Sequence, residues 1–171
     1  MKDVVAYIDG ANLRMCTNKF VWRLDYRRLR IWLLEKYKVR TAYLFLGFVP
    51  QYKNLYRYLQ DSGYELIFKQ VAYGADGKLK GNCDADLVVS AMKDFYENVF
   101  DKAILVSSDG DYTSLVLFLL EKNKLQAVVS PAPPSACSLL LKRTGAKIAY
   151  LSDQKHVLSA LNEKSPDQDE T

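Results

Sequence analysis

The sequence is poor in residues on which many enzymes depend. Its 171 residues include one histidine, His156, and three cysteines, Cys16, Cys83 and Cys137. One histidine leaves a serine or cysteine hydrolase triad a single candidate base, and no convincing nucleophile motif accompanies it. His156 is typical of a surface helix residue. The cysteines form no CxxC pair, which argues against a structural zinc site and indicates reduced thiols. Hydrolytic chemistry would therefore have to rest on carboxylates and metal.

Long apolar runs and nucleotide-binding loops are also absent. No segment reaches the ~18 uncharged apolar residues of a membrane span. Residues 1–3 lead directly into a strand pattern, so no signal peptide is expected. We therefore expect a cytoplasmic protein with no membrane partner. The sequence contains neither GxxxxGKS/T nor GxGxxG, and Ala11 stands where a haloacid-dehalogenase-like phosphatase has its second Asp. These absences disfavour a phosphatase or nucleotide enzyme.

The composition is that of one globular domain. Hydrophobic residues make up 49% of the chain, and its length suffices to bury about 70% of the unfolded surface. We expect a single domain over residues 1–161 and an acidic, disordered tail over residues 162–171. The net charge is +4, from 24 basic and 20 acidic residues. A basic protein with a local cluster of acids suits a polyanionic partner that binds through a metal ion. The same net charge also fits a soluble protein without such a partner.

Short apolar runs alternate with helical patterns along the chain. Strands are predicted at residues 4–8, 42–47, 64–72, 103–106, 125–129 and 148–151. Helices are predicted at residues 25–37, 51–60, 84–96, 111–122, 135–142 and 154–161. Glycine and aspartate residues predict a loop at residues 73–81. Strands separated by helices favour an α/β fold, with a parallel sheet covered by helices on both faces.

Five aspartates lie at predicted strand ends or helix starts in three separated segments. The segments read VVAYIDGAN, GNCDADLVV and ILVSSDGDY, and the aspartates are Asp9, Asp84, Asp86, Asp109 and Asp111. Parallel strands gather their carboxyl ends along one edge of the sheet, where ligands bind. Crowded carboxylates are unfavourable without a cation, and hard oxygen ligands suit Mg²⁺ or Mn²⁺. If the three segments meet, they form a magnesium or manganese site.

The first and third segments also have structural interpretations. Asp9 and Gly10 form a common turn sequence, in which Gly10 permits a tight bend and Asn12 orients the loop or a water. Asp111 is expected to cap the helix predicted to start beside it. Asp109 then has no capping role, which favours a functional one.

The middle segment opens a helix, where aspartate is common for structural reasons. One capping acid would be enough, so the pair Asp84 and Asp86 exceeds that need. The preceding KLKG brings Lys78 and Lys80 beside them. These lysines could balance the acids or hold phosphates.

Basic and aromatic residues are interleaved in two stretches. Residues 19–40 contain eight basic side chains, two acids and five aromatic side chains, and QYKNLYRY follows further along. Such mixtures suit single-stranded RNA, through phosphate contacts and base stacking. Trp32 and some tyrosines equally suit packing of a helix onto the sheet. Arg14, Lys19 and Arg23 are predicted to flank the site.

Taken together, these motifs resemble a known family. YIDGANL, KGNCDADLV, ILVSSDGDYTSLV and LKRTGAKIAYL are similar to an NYN domain of the LabA-like group, within the PIN-like nuclease superfamily. The resemblance covers residues 4–158 and implies an α/β/α sandwich with a mainly parallel sheet of core order 3-2-1-4-5. It implies a metal-dependent ribonuclease that hydrolyses RNA phosphodiesters with aspartate-bound Mg²⁺ or Mn²⁺. The alternative is a catalytically inactive RNA-binding or regulatory module with the same fold.

The resemblance also implies roles for the acids. Asp9, Asp84 and Asp109 match the central acids, which hold the metal and serve catalysis. Asp86 and Asp111 match supporting acids around the metal or its waters, Asp86 among the ligands and Asp111 in catalysis.

Polar neighbours complete what the resemblance implies. Asn12 and Ser108 would be helpers near the same centre, although many relatives have Gly where this chain has Ser108. Asp94 is either a further partner acid or a solvated helix residue. Single-stranded RNA is the expected partner, and a homodimer is a candidate assembly that the sequence leaves open.

Overall fold

A computed structural model of the chain describes residues 3–20, 22–69 and 83–160, together with the backbone of residues 72–73 and 79–80. The predicted tail at residues 162–171 lies outside this description. Within it, no helix has the length and apolarity needed to cross a membrane.

Most of the strands build one parallel sheet. In chain order the strands are β1 (Asp3–Asp9), β2 (Val39–Gly47), β3 (Glu65–Lys69), β4 (Ala72–Tyr73), β5 (Leu79–Lys80), β6 (Phe100–Val106), β7 (Leu125–Ser130) and β8 (Ile148–Tyr150). The sheet has the order β3-β2-β1-β6-β7-β8 with every pair parallel. The fourth, fifth and sixth predicted strands correspond to β6, β7 and β8. The predicted core order 3-2-1-4-5 is thus confirmed, with the sixth predicted strand added at one edge. β4 and β5 pair with each other at the ends of the predicted loop.

Helices cover both faces of this sheet. They are α1 (Gly10–Lys19), α2 (Tyr26–Tyr37), α3 (Lys53–Asp61), α4 (Asp84–Tyr96), α5 (Thr113–Glu121), α6 (Leu139–Arg143) and α7 (Lys155–Leu158). Short 3₁₀ turns precede three of them, at Pro50–Tyr52, Gly110–Tyr112 and Leu151–Gln154. The predicted α/β fold class is confirmed.

Two apolar clusters separate the layers, and the central strand β1 contributes to both. Ala6 and Ile8 pack into one cluster, whereas Val5 and Tyr7 pack into the other. A strand buried on both faces must be apolar throughout, which explains the unbroken run that ends at Asp9. The carboxylate of Asp9 therefore emerges where the buried strand stops.

Helix α2 forms as its sequence predicts. The carboxylate of Asp25 accepts a hydrogen bond from the backbone N–H of Arg28 at 3.0 Å, which caps the helix. Trp32 is buried in the cluster beneath it. The packing interpretation of this tryptophan is confirmed.

The turn predicted at Gly10 is wrong, because Gly10 is the first residue of α1. The carboxylate of Asp9 caps this helix by accepting from the backbone N–H of Asn12 at 3.0 Å. Much of α1 is polar, so its apolar periodicity is too weak to reveal a helix.

Several predicted element boundaries also shift, including the following two. The helix predicted at residues 135–142 begins only at Leu139, because the hydroxyl of Ser138 caps it by accepting from the N–H of Leu140. The strand predicted at residues 64–72 ends at Lys69. Neither change moves the carboxyl edge of the central strands.

Candidate metal centre

Three carboxylates converge at the carboxyl edge of the sheet. Asp84 opens α4, Asp109 follows β6, and Asp111 lies in the 3₁₀ turn that comes next. One oxygen of each lies within 4.8 Å of the other two. Octahedral Mg²⁺ with ligands at about 2.1 Å sets its oxygens about 3–4 Å apart, so small side-chain rotations would bring all three into one shell. An all-oxygen donor set of this kind fits Mg²⁺ or Mn²⁺.

A buried carboxylate, Asp9, is joined to this group through Tyr112. The Tyr112 hydroxyl lies 2.7 Å from Oδ1 of Asp84 and 3.3 Å from Oδ2 of Asp9. Asp9 is only 4% exposed, and its Oδ2 also accepts from the hydroxyl of Ser107 at 3.3 Å. These contacts tie the ends of β1 and β6 to the start of α4. The first and third predicted segments therefore meet the second, as the metal-site hypothesis requires.

The environment of Asp9 disfavours its charge. Burial raises the pKa of the Asp9 carboxyl above its ordinary value of 3.8, and the nearby charge of Asp84 raises it further. Hydrogen bonds from Asn12, Tyr112 and Ser107 act in the opposite direction. Burial also raises the pKa of the Tyr112 hydroxyl, which therefore stays protonated and donates. Crowded carboxylates of this kind are stabilised by a bound cation.

Asp9→Asn is expected to stabilise the metal-free protein at neutral pH, by about 1 kcal/mol. The amide oxygen can still cap α1, and the amide nitrogen can donate to Ser107. Because the folded-state pKa of Asp9 is raised, its contribution to stability is complete below 3.8 and is lost as pH rises through the folded-state value. The gain from Asn should therefore be largest at neutral pH and should vanish on acidification.

Thermal unfolding in EDTA at neutral and acidic pH measures this difference. Asp61→Asn is the matched control, because Asp61 is exposed at the end of α3 that leads to the opposite edge of the sheet. A lower midpoint for Asp9→Asn at neutral pH would contradict the expectation, as would a gain that grows on acidification.

The capping role predicted for Asp111 belongs to Asp109. Its Oδ1 accepts from the N–H of Asp111 at 3.0 Å, and its own N–H donates to the hydroxyl of Ser107 at 3.1 Å. The predicted cap at Asp111 is wrong, because helical geometry already begins at Gly110. Asp109 combines this cap with membership of the carboxylate group, and Asp111 is exposed to solvent beside it.

Asn12, in the first turn of α1, and Ser108 connect the segments that follow the adjacent strands β1 and β6. Both are 8% exposed, and Oδ1 of Asn12 accepts from the N–H of Ser108 at 2.9 Å and from its hydroxyl at 3.0 Å. The thiol of Cys16 lies 3.5 Å from the same hydroxyl. These side chains fix the loop after β6 against α1, which positions Asp109.

Asp86 and Asp94, which are also predicted as candidate site residues, lie outside the three clustered carboxylates. Asp86 is half exposed, and its Oδ2 lies 3.6 Å from Nζ of Lys69. Asp94 accepts a 2.6 Å hydrogen bond from the hydroxyl of Tyr7. It lies ten residues beyond Asp84, which is about 15 Å along a helix. Asp94 therefore hydrogen-bonds to the core between α4 and the sheet.

The predicted basic flank is spread along α1. Arg14 is exposed in the second turn of the helix, whereas Lys19 is its last residue and Arg23 lies beyond it. The ends of such a helix are about 15 Å apart, so Arg14 is the nearest of these three to the carboxylates. Lys78 lies outside the described residues, and only the backbone of Lys80, in β5, is described.

Tyr112 and Ser107 contact the site but are not predicted as site residues from the sequence. Tyr112 follows an aspartate at a helix start and is 1% exposed, so it resembles an ordinary core aromatic. Ser107 immediately precedes Ser108, the serine to which the family resemblance assigns a role. The polar run SSDGDY after an apolar strand is the one signal that could have pointed to both.

Comparisons with known proteins address fold and family. The family model of the NYN domain matches residues 3–146. A protein of unknown function from Vibrio parahaemolyticus has a similar structure, with a TM-score of 0.67 at 22% identity, over 89% of this chain and 94% of that chain. The T5 D15 protein, co-crystallized with metal ions, matches with a TM-score of 0.41 at 16% identity, over 75% of this chain and 54% of that chain. The first likeness shows the fold, and the second is too distant to support an argument. No curated protein sequence matches.

Proposed function

Because the chain belongs to the NYN domain family, we propose that it is a metal-dependent ribonuclease. The observation that carries this proposal is the convergence of Asp84, Asp109 and Asp111, whose oxygens lie within 4.8 Å of one another. The three come from two separated segments, so ordinary helix capping does not require them to meet. The LabA-like group within the family stays a prediction.

The clustered carboxylates of Asp84, Asp109 and Asp111 would hold Mg²⁺ or Mn²⁺. When bound, the ion lowers the pKa of a water molecule and stabilises charge on a phosphodiester. Asp9 lies beside this group on its buried side, and Tyr112 fixes the orientation of Asp84 by donating to it. An outer group that orients a ligand in this way typically matters for metal affinity.

The proton of the attacking water needs an acceptor that is not histidine. His156, the one histidine of the chain, lies in α7, which follows the edge strand β8. Asp111 is the exposed member of the carboxylate group, so its outer oxygen can accept this proton from the solvent side. Its neighbours Asp84 and Asp109 are less exposed and suit a holding role.

RNA is the proposed substrate, and a single strand is the proposed form. Arg14 carries an exposed positive charge near the Asp9 end of α1, where it can meet a phosphate. A positive side chain beside a group of acids that would hold a metal ion suits a polyanion whose reacting phosphate binds through that ion.

A cleavage assay tests the function directly. Labelled single-stranded RNA is incubated with the protein and Mn²⁺ or Mg²⁺, with EDTA, and with metal restored after EDTA. We expect cleavage only in the arms with available metal, and Asp61→Asn should match the wild type. Cleavage that persists in EDTA would overturn the proposal. RNA binding without cleavage in every metal arm would favour the inactive RNA-binding module.

A further inference from the structure

A cavity of about 400 Å³ lies between α1, β2 and α3. We call it the first-helix cavity. Its volume falls within the range of about 300–1,000 Å³ that is usual for small-molecule sites. The wall residues that matter here are Gly10, Ala11, Arg14, Leu46, Tyr52 and Tyr56.

The first turns of α1 serve both the cavity and the carboxylate centre. The carboxylate of Asp9 is joined to the centre through Tyr112, and the next residue, Gly10, lines the cavity. On the neighbouring strand, Phe45 pairs with Asp9, and the next residue, Leu46, also lines the cavity. The cavity therefore lies at the same carboxyl edge of the sheet, one residue beyond Asp9.

The chemistry of the cavity suits a flat, apolar group that belongs to a polyanion. The guanidinium carbon of Arg14 lies 5.4 Å from the centre of the Tyr52 ring, a cation–π pair at the cavity wall. Leucine side chains from β2 and α3 contribute to the apolar part of the lining. Nucleic-acid bases stack on aromatic rings and guanidinium planes, while the adjoining positive charge attracts the phosphate backbone.

The cavity wall is held in place before any ligand arrives. The hydroxyl of Tyr56 accepts from the N–H of Val49 at 2.9 Å and donates to the carbonyl of Gly47 at 3.4 Å. These bonds tie the loop after β2 to α3. A preformed wall reduces the ordering cost of binding.

We propose that the first-helix cavity binds one unpaired base of the RNA strand whose phosphodiester is cleaved at the carboxylate centre. The identity of the ligand rests on the proposed function. In a duplex the faces of each base are covered by its stacked neighbours, so only an unpaired base can enter. The cavity thereby selects single-stranded over double-stranded RNA and fixes which phosphodiester reaches the carboxylates.

Binding measured in EDTA tests the cavity separately from cleavage. Fluorescence anisotropy follows the full chain against a labelled single-stranded RNA and a set of the same strands with one abasic position each. Loss of one stacked base should weaken binding about tenfold at one position. Tyr52→Ala should weaken binding of the intact strand to a similar extent, and Tyr52→Phe, which keeps the ring, should recover most of it.

The two losses should not add. When the abasic position that matters is combined with Tyr52→Ala, the affinity should fall no further than with either change alone. Arg14→Lys keeps the positive charge but not the planar guanidinium group, so it should lose most of the RNA affinity that Arg14→Ala loses. Thermal unfolding confirms that the variants are folded, which is expected because Arg14 is exposed and Tyr52 is only partly buried.

Several results would overturn the cavity proposal. An abasic scan without a sensitive position, additive losses, wild-type affinity in Tyr52→Ala, or no RNA affinity at all would each do so. Cleavage together with a flat abasic scan would leave the ribonuclease proposal standing and remove the cavity. An abasic position that weakens binding, without adding to the loss in Tyr52→Ala, in a protein that does not cleave RNA would leave the cavity standing and remove the ribonuclease proposal.

Discussion

Asp84→Asn is expected to lower the rate of metal-dependent RNA cleavage by about 10³-fold, while the protein stays folded. The substitution removes one of three clustered charges but retains an oxygen that can accept from Tyr112. A loss of 10³-fold corresponds to about 4 kcal/mol of transition-state stabilisation, and metal ions supply several kcal/mol of this kind. Initial rates under saturating Mn²⁺ measure the effect, and thermal unfolding in EDTA confirms the fold.

Two other charge removals show whether the effect belongs to the cluster. Asp61→Asn, at the opposite edge of the sheet, should leave the rate unchanged. Asp86→Asn removes an acid from the same helical turn as Asp84, but this acid pairs with Lys69, so the loss should stay below about tenfold. Equal inactivation by Asp84→Asn and Asp86→Asn would mean that the cluster of three is not the ligand set.

Gly10→Ala is expected to cost about 3 kcal/mol of stability and to lower the unfolding midpoint by about 10 °C. A Cβ at Gly10 would lie 2.4 Å from Cδ2 of Leu46 and 2.6 Å from the carbonyl oxygen of Phe45. The leucine can move, but the carbonyl belongs to β2, which is paired with β1 at this point. Alanine would gain at most about 1 kcal/mol of helix propensity, so the steric cost prevails.

Gly110→Ala is the matched control for this clash. Its added Cβ would lie 2.5 Å from Oγ of Ser138, a side-chain atom that can rotate away. Rotation gives up the cap that Ser138 makes at α6, which is worth about 1 kcal/mol. Thermal unfolding of both variants should therefore show a clearly larger loss for Gly10→Ala, and equal midpoints would contradict the close packing of α1 on β2.

The strands could be predicted from the sequence because their apolar runs are bounded by polar or turn residues. β1 reads as continuous apolar sequence up to Asp9, and its burial on both faces follows from that pattern. The strand order came from the family resemblance. Helix α1 could not be predicted in the same way, because its stability comes from the Asp9 cap and from packing of a few residues such as Leu13.

The acids of the candidate site could be predicted from the sequence, but their arrangement in space could not. Residues two apart on a helix lie about 200° apart around its axis, which disfavours Asp84 and Asp86 as ligands of one ion. The pairing of Asp86 with Lys69 agrees with this geometry, and a ligand role for Asp86 stays a prediction. The contact between Tyr112 and Asp9 spans 103 positions of sequence, and no local pattern carries such information.

A crystal soaked in Mn²⁺ tests the central claim most directly. The predicted result is an anomalous scattering peak with carboxylate oxygens of Asp84, Asp109 and Asp111 within about 2.6 Å of it. The same carboxylates without a peak, or a peak bound elsewhere on the protein, would contradict the proposed metal centre.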